Sequence, residues 1–465
     1  MTNQGISTNK TLGAFALAMI SVAGIVSLRS IAMMASVGFS SVFFYVLAAL
    51  VFLIPSALVC AELSSNFPQA GGIYAWVTQA FGEKTGFFAM WSEWFNNVIG
   101  FPATCSFIAV TLLYITFPGL AQHQLIVLGL LLIILWGCTL FNFLGVVASS
   151  RLNIIGALVG TIFPTVIIII LGASWLLLKK SAQIQFNPHN LFPPMHINNL
   201  VFFTGVLSSY AGMQITAFHA PNVVNPQRNF PRAIAMAVGL IVVITIFSAL
   251  AIAIVVPQRD INLVSGIMEG FHAFFQAFNL SWAQSLIALL IITSGISSLA
   301  AWLLGPARGL SVAAQRGDFP RYFGKESKNG APIRVLVLQA IVATALAFVF
   351  VLLPNLSVAF WLLTVLTSQF TLIMYILLFS SSIALHRKLK TTGIHTFKIP
   401  GGQLMRDIIC GVAIIVCALA YLLGFFPPAQ LPIPNLWLYE ALIILGNLVY
   451  IGLPVLIYIK SKRNT

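Results

Sequence analysis

The chain has 465 residues, 59% of them hydrophobic and 7% charged, with a mean hydropathy of +1.00 and a formal net charge of +14. So apolar a composition excludes a soluble globular domain. The positive charge is scattered through short gaps between apolar runs, which excludes a basic nucleic-acid-binding domain.

Apolar runs long enough to cross about 30 Å of hydrocarbon start near residues 12, 40, 86, 124, 153, 200, 233, 284, 334, 357, 408 and 437. Because a backbone in lipid must satisfy its own hydrogen bonds, these runs predict an all-α membrane protein with about twelve transmembrane helices. One lysine precedes the first run, and no small-residue cleavage site follows at signal-peptide length, so this run is expected to remain as a helix. The run is interrupted by small and polar residues at Met19-Ile-Ser-Val-Ala-Gly-Ile-Val-Ser-Leu-Arg-Ser30. The sixth run is interrupted in the same way, at Gly205-Val-Leu-Ser-Ser-Tyr-Ala-Gly-Met-Gln-Ile-Thr216. Small residues also permit close helix packing, but paired interruptions at matching positions of two halves point to a transporter's binding site.

The outer link 179–199, with Pro188, Pro193 and Pro194, reads as irregular. The link 261–280 places Val264, Ile267, Met268, Phe271, Phe274, Phe275 and Phe278 at helical spacing, which predicts an amphipathic helix packed on the bundle or acting as a lid. The longest links on the other side, 305–333 and 386–407, leave no room for a soluble domain. When the gaps are assigned alternately to two sides, nineteen of the 23 Lys and Arg residues fall on the side of both termini. Only Lys179, Lys180 and Arg259 fall opposite. Basic residues resist translocation, so both termini are expected in the cytoplasm.

Arg29 remains, deep in the first run, where an arginine costs about 2.5 to 3.5 kcal/mol on the insertion scale. Two compensations are open: an ion pair with Glu93 of the third run, or a wet cavity in which the guanidinium fork holds a substrate carboxylate. Glu93 is also the one acid of the nine placed to carry a proton at mid-membrane. The sixth run offers Gln214, which does not titrate, so a carboxylate-rich pocket for polyamines is not expected. The fifth run has no Lys or Arg to stand in for a bound cation. Ser297 and Ser298 have oxygens suited to Na⁺, although hydroxyls in membrane helices usually bond their own backbone. Trp302 suits either a pocket wall or the interfacial aromatic belt. His219 is read as an ordinary hydrogen-bonded histidine ahead of a pH sensor. Cys60, Cys105, Cys138, Cys410 and Cys417 lie in apolar stretches without metal-ligand spacing, so they are read as core, and neither metal nor cofactor is expected.

These residues, with Asn66-Phe-Pro-Gln-Ala-Gly-Gly-Ile-Tyr-Ala-Trp76, Asn225-Pro-Gln-Arg-Asn-Phe-Pro-Arg-Ala233, Gly305-Pro-Ala-Arg-Gly-Leu310, Lys328-Asn-Gly-Ala-Pro332 and Phe397-Lys-Ile-Pro-Gly-Gly402, carry a resemblance. The chain resembles the amino acid, polyamine and organocation transporter superfamily along almost its whole length. Ile261-Asn-Leu-Val-Ser-Gly-Ile-Met268 points to its glutamate/γ-aminobutyrate antiporters. The resemblance implies a LeuT-like five-plus-five inverted repeat, with repeat one about 12–178, repeat two about 200–385, and two further helices about 408–459. Substrate would lie between broken helices one and six, walled by helices three, eight and ten. The implied substrate-binding residues are Gly24, Ser27, Arg29, Asn96, Gly212, Gln214, Ser298 and Trp302. This chain departs from those antiporters at Arg29, where they have a tyrosine, at Gln214, where they have a glutamate, and at Ser298, where they have an acid. It also ends before the C-terminal plug of the acid-resistance antiporter.

Together these readings predict an inner-membrane amino acid exchanger. A proton symporter using Glu93 is the close alternative, and an amino acid sensor the distant one. No nucleophile and base pair or metal-ligand cluster stands out, so an enzyme is not expected.

Overall fold

In a computed structural model, residues 13–463 are described apart from 68–71, 145–155, 195, 215–222, 390–396, 430, 432 and 434. Every regular element among them is helical. The first predicted span is two helices, α1 (Ala14–Ile25) and α2 (Leu28–Ala35), inclined at 61° to each other. Val26 and Ser27 between them are extended. Next come α3 (Gly38–Asn66), the short α4 (Gly72–Phe81), α5 (Glu83–Thr116), α6 (Gln124–Asn142) and α7 (Val159–Leu177). The sixth predicted run holds α8 (Ile197–Ser209), a shorter apolar helix. Then follow α9 (Pro226–Val255), α10 (Gly266–Ala277), α11 (Ala283–Gln315), α12 (Ile333–Leu352), α13 (Leu356–Leu389), α14 (Gly402–Leu423) and α15 (Leu436–Arg463).

Among the described residues, ten helices are long and apolar enough to cross a membrane, and the bent α1–α2 pair makes eleven. The remaining predicted run holds α8, a shorter apolar helix, and residues 215–222 of that run lie outside the described ones. Eleven of the twelve predicted runs thus hold helices of spanning length when the bent pair counts as one. Proline leaves its mark inside them: in α3 a π-helical turn at Ala49–Leu53 precedes Pro55. Proline has no N–H to give the preceding turn and its ring crowds that turn's carbonyl, and a widened turn relieves both.

Long helices α5 and α13 form the middle of the bundle, with 72% of the most apolar stretch of each buried, against 28% for α14 and 22% for α15. Where α5 and α13 meet, a Cβ built on Gly100 would lie 3.5 Å from Thr367 Oγ1. On another side α5 is locked to α15: Trp91 Nε1 donates to the Tyr450 carbonyl (3.1 Å), and Tyr450 Oη donates to Ser92 Oγ (2.5 Å). The Tyr450 ring also stacks on Phe370 of α13 at 3.9 Å. These contacts satisfy polar atoms that lipid cannot.

The amphipathic helix predicted at 261–280 is α10. Ile267, Met268, Phe271, Phe274 and Phe275 are buried, and Gly270 lies against Ile252 of α9 and Ile168 of α7. Gly266 approaches Ala32 of α2, so this helix rests on the inclined half of the first span. Its start is fixed by Glu269, which accepts from Ser265 Oγ (2.5 Å) and from the Asn262 amide (3.2 Å). Burial pushes the Glu269 carboxyl up, and these two hydrogen bonds offset part of the rise. The outer link 179–199 is irregular apart from a single 3₁₀ turn at Pro188–Leu191 and the start of α8.

Candidate functional site

A helix end leaves about four N–H or four carbonyl groups without intrahelical partners. The Val26–Ser27 interruption therefore frees carbonyls at the end of α1 and amides at the start of α2, in the middle of an apolar run. The second interruption meets the first. Tyr210 ends α8, Gly212 has φ +140°, and a Cβ placed on Gly212 would lie 2.9 Å from Ile25 Cγ1 and 3.3 Å from the Gly24 carbonyl oxygen. Only a residue without a side chain accepts both that backbone conformation and that approach. The Tyr210 end is held by Tyr45 of α3, ring to ring at 5.6 Å, and by a hydroxyl pair with Thr245 of α9.

Arg29 is the second residue of α2, so its side chain starts at the break. Its Nη1 donates to Thr104 Oγ1 (2.9 Å) and reaches the Gly100 carbonyl (3.5 Å), both on α5, and its guanidinium lies 5.9 Å from the centre of the Phe360 ring of α13. None of these partners carries a negative charge. Glu93 also lies on α5, but seven residues before Gly100, about 10 Å along the helix axis. Among the described residues no ion pair joins Arg29 to Glu93. In this conformation the arginine is held by neutral oxygens and an aromatic face instead.

Below Arg29, one face of α5 and one face of α13 form a polar seam. Asn96, Gly100 and Thr104 recur every four residues on α5. Opposite them on α13 stand Thr364, Thr367, Thr371 and Tyr375. Asn96 Nδ2 donates to Thr371 Oγ1 (3.3 Å), and Thr371 Oγ1 donates to the Thr367 carbonyl (2.8 Å). Tyr375 closes the seam onto the second break: its hydroxyl accepts from the Gly212 amide (2.9 Å) and donates to Gln214 Oε1 (2.5 Å). The α13 residues went unnamed in the sequence reading. Their signal was present as hydroxyls at spacings of three, four and four inside an apolar run.

The predicted residues do not all converge. Gly24, Gly212, Gln214 and Asn96 join the breaks and the seam, with Arg29 at the head of it and Ser27 half-buried in the gap. Ser298 is exposed and Trp302 half-buried on α11, three and seven residues beyond Gly295, whose helix face touches Ile108 of α5. Among the described residues no hydrogen bond or ring contact connects Ser298 or Trp302 to Arg29, Asn96 or Gln214. Ser297 Oγ donates to the Thr293 carbonyl of its own helix (2.7 Å), and Ser294 pairs with Thr161 of the fifth predicted run. The hydroxyls considered for Na⁺ are thus committed or apart. His219 lies outside the described residues. The five cysteines are free and buried, and no metal-binding group of His, Cys, Asp or Glu occurs among the described residues.

The arrangement offers an anion-binding group and free helix amides at one break, carbonyls next to them, and a hydroxyl and amide wall opposite. Residues 11–448 match the family described as amino acid permease. An uncharacterised transporter of Legionella pneumophila is 40% identical over 448 residues, covering 96% of each chain. A glutamate/gamma-aminobutyrate antiporter of Lactococcus lactis subsp. lactis is 31% identical over 431 residues, covering 91% of this chain and 85% of its own. A cadaverine/lysine antiporter of Escherichia coli is 28% identical over 303 residues, covering 64% and 65%.

Proposed function

Because the chain belongs to the amino acid permease family, we propose that it moves amino acids across a bacterial inner membrane by alternating access, exchanging one for another. The exchange reading is supported by the antiporters among its relatives. It is also supported by the charge inventory, since exchange needs no ion site and the fifth run has no basic residue to replace one. The family match is consistent with a LeuT-like fold, in which residues of about 12–178 and 200–385 are two inverted halves meeting at the breaks. Nineteen basic residues on the side of both termini support a cytoplasmic location for those termini.

The observation that carries the substrate reading is Arg29, a cation at the break bonded to uncharged oxygens. A substrate carboxylate displaces a hydroxyl and a carbonyl there and gains charge-assisted hydrogen bonds, about twice as strong as neutral ones. The first amides of α2 accept the same carboxylate, because the positive end of the helix dipole faces it. Carbonyls freed at the end of α1, near Gly24, take the substrate ammonium, with the Ser27 side chain beside them in the gap. Asn96, Gln214, Ser298 and Trp302 then contact the substrate side chain, the first two from the seam and the last two from α11 when that helix closes on the pathway. With Arg29 added and the pocket acids of the related antiporters replaced by Gln214 and Ser298, an acidic or dipolar amino acid suits the site better than a cationic one.

A second reading, proton symport, has one observation in its favour. Glu93 is a half-buried acid on α5, and no ion pair to it occurs among the described residues. The two readings separate in proteoliposomes. Exchange requires an amino acid inside the vesicle, whereas symport fills empty vesicles when a pH gradient is imposed and loses that response in Glu93→Gln.

A further inference from the structure

Lys180 is one of the three basic residues that the alternation of apolar runs puts opposite the two termini, and it is half-buried. Basic residues are sparse on that side, so this one asks for a local use. The chain reaches it through a tight helix end. Lys179, just past α7, is in the left-handed region at φ +54°. Its amide donates to the Leu176 carbonyl (3.0 Å), and the Lys180 amide to the Trp175 carbonyl (3.2 Å). This pair of bonds is a Schellman cap, which glycine usually makes because it takes positive φ at no steric cost. Here a lysine bears that conformation, and the turn brings the next side chain back over the end of α7. Lys180 Nζ lies 5.0 Å from the centre of the Trp175 ring and 5.0 Å from that of Phe278, and it donates to the Ala277 carbonyl of α10 (3.1 Å).

The end of α10 is shaped to receive it. α10 closes in the same way, with Asn279 at φ +57°, the Asn279 amide donating to the Gln276 carbonyl (3.3 Å) and the Leu280 amide to the Phe275 carbonyl (2.7 Å). Such a cap satisfies the carbonyls of Phe275 and Gln276 but not that of Ala277. The Lys180 ammonium supplies the missing donor, at the negative end of the helix dipole. Beside this contact the two helices mesh: Gly270 lies against Ile168, Gly172 against Phe274, and the Trp175 ring stands edge-on to Phe274 and Phe278 at 5.7 and 6.1 Å. The Trp175 indole N–H donates to the Ser181 carbonyl (3.0 Å), which fixes the aromatic wall. At its other end α10 lies against Ala32 of α2 through Gly266, and midway His272 Nδ1 donates to Gln284 Oε1 at the start of α11 (2.8 Å). α10 thus ties α7 to the half of the first span that carries Arg29.

We propose that α10 is a lid on the broken first span and that Lys180 is its clasp. With the ammonium seated between Trp175 and Phe278 on the Ala277 carbonyl, α10 holds α2 in place; when the ammonium leaves, α10 lifts and the break is reached from the end of the molecule where Lys180 lies. This rests on the alternating-access reading above and adds to it the residue that governs one of the two gates. Two cation–π contacts and one hydrogen bond from a charged donor, at a half-buried position, together shift the balance between closed and open by about tenfold.

The test uses the full-length protein with Ser27→Cys as reporter in the gap of the first span, the five native cysteines being buried. A membrane-impermeant maleimide is applied to intact cells and to inside-out vesicles, and His189→Cys identifies which of the two presents the Lys180 end. Hydrogen exchange of the α10 amides is read on the purified protein. Lys180→Met keeps an apolar stem between the rings and removes the ammonium. It is expected to raise reporter labelling from the His189 side about tenfold, with no rise from the other side, and to speed exchange in α10 to a similar degree. Lys180→Arg, which still bonds the carbonyl and faces both rings, should restore both readouts, and Lys180→Gln, a donor without charge, should fall between. Lys179→Gly removes the same charge from the same link at a position whose φ suits glycine, and should change neither. Unchanged labelling and exchange in Lys180→Met overturn the proposal. So does faster labelling from both sides, which is a loosened fold rather than an opened lid, or an equal effect of Lys179→Gly. Neither readout measures flux, so failure here leaves the exchange reading to be judged by counterflow.

Discussion

Arg29 is held by a threonine hydroxyl and a backbone carbonyl, neither of which neutralises it, and the proposed function assigns its charge to a substrate carboxylate. Replacing it with alanine should leave folded yield near normal while raising the apparent substrate Km about 10- to 100-fold, the loss of hydrogen bonds to a charged group worth roughly 1.5 to 3 kcal/mol. Arg29→Lys keeps the charge but loses the two-pronged geometry, and should recover only part of the affinity. If both variants instead lost folded protein in parallel, the arginine would be a structural residue. Tyr375 makes a different prediction. Its hydroxyl serves a backbone amide and a side-chain oxygen at once, and Tyr375→Phe strands both. The melting temperature of that variant should fall by an amount equivalent to about 1 to 3 kcal/mol, with substrate affinity also reduced because Gly212 and Gln214 lose their anchor. The anomaly of Arg29 was legible in the sequence because a cation in an apolar run announces itself. Its partners were not. Thr104 and Phe360 are 75 and 331 residues away, and hydroxyls or rings in membrane helices are too ordinary to single out.

At the scale of the helix, what the sequence reveals is depth along the membrane, while azimuth comes from packing. Glu93 and Arg29 were placed at similar depth from their runs, but α5 carries Gly100 and Thr104 to the guanidinium and leaves Glu93 about two turns away. Ser298 and Trp302 were legible as polar and aromatic residues of one helix. Their distance from the breaks depends on how α11 leans on α5 at Gly295. The breaks themselves were readable, because small and polar residues cluster in both runs. Gly212→Ala should test their contact: with φ +140° and Ile25 Cγ1 only 2.9 Å from the new methyl, it should reduce transport sharply, whereas Gly239→Ala, which meets nothing within 4 Å on α9, should be silent. At the start of α10, Glu269 has a raised pKa caused by burial. The contribution of such an acid is fullest when protonated, below the unfolded carboxylate pKa of about 4.3, and is lost as pH rises through the raised folded value. The melting temperature of wild type relative to Glu269→Gln should therefore decline with rising pH. A difference that grew with pH would mean that Ser265 and the Asn262 amide outweigh burial.

For the molecule as a whole, the alternation of apolar runs and the bias of basic residues specify a topology that can be read chemically. All five native cysteines are buried, so an introduced thiol reports alone. His189→Cys, in the outer link, should react with a membrane-impermeant maleimide in intact cells, and Lys325→Cys only after permeabilisation. The reverse pattern would invert the protein in the membrane. The order of the apolar helices followed from hydrophobicity, whereas the mode of transport depends on charges that are absent as much as on those present. Counterflow decides it most directly. Proteoliposomes are loaded in turn with unlabelled glutamate, glutamine, γ-aminobutyrate, and neutral and cationic amino acids, and entry of labelled amino acid is followed. Accumulation only with particular internal loads, acidic or dipolar ones ahead of cationic ones, is the expected result. Entry into empty vesicles driven by a pH gradient alone, indifferent to the internal load, would contradict exchange.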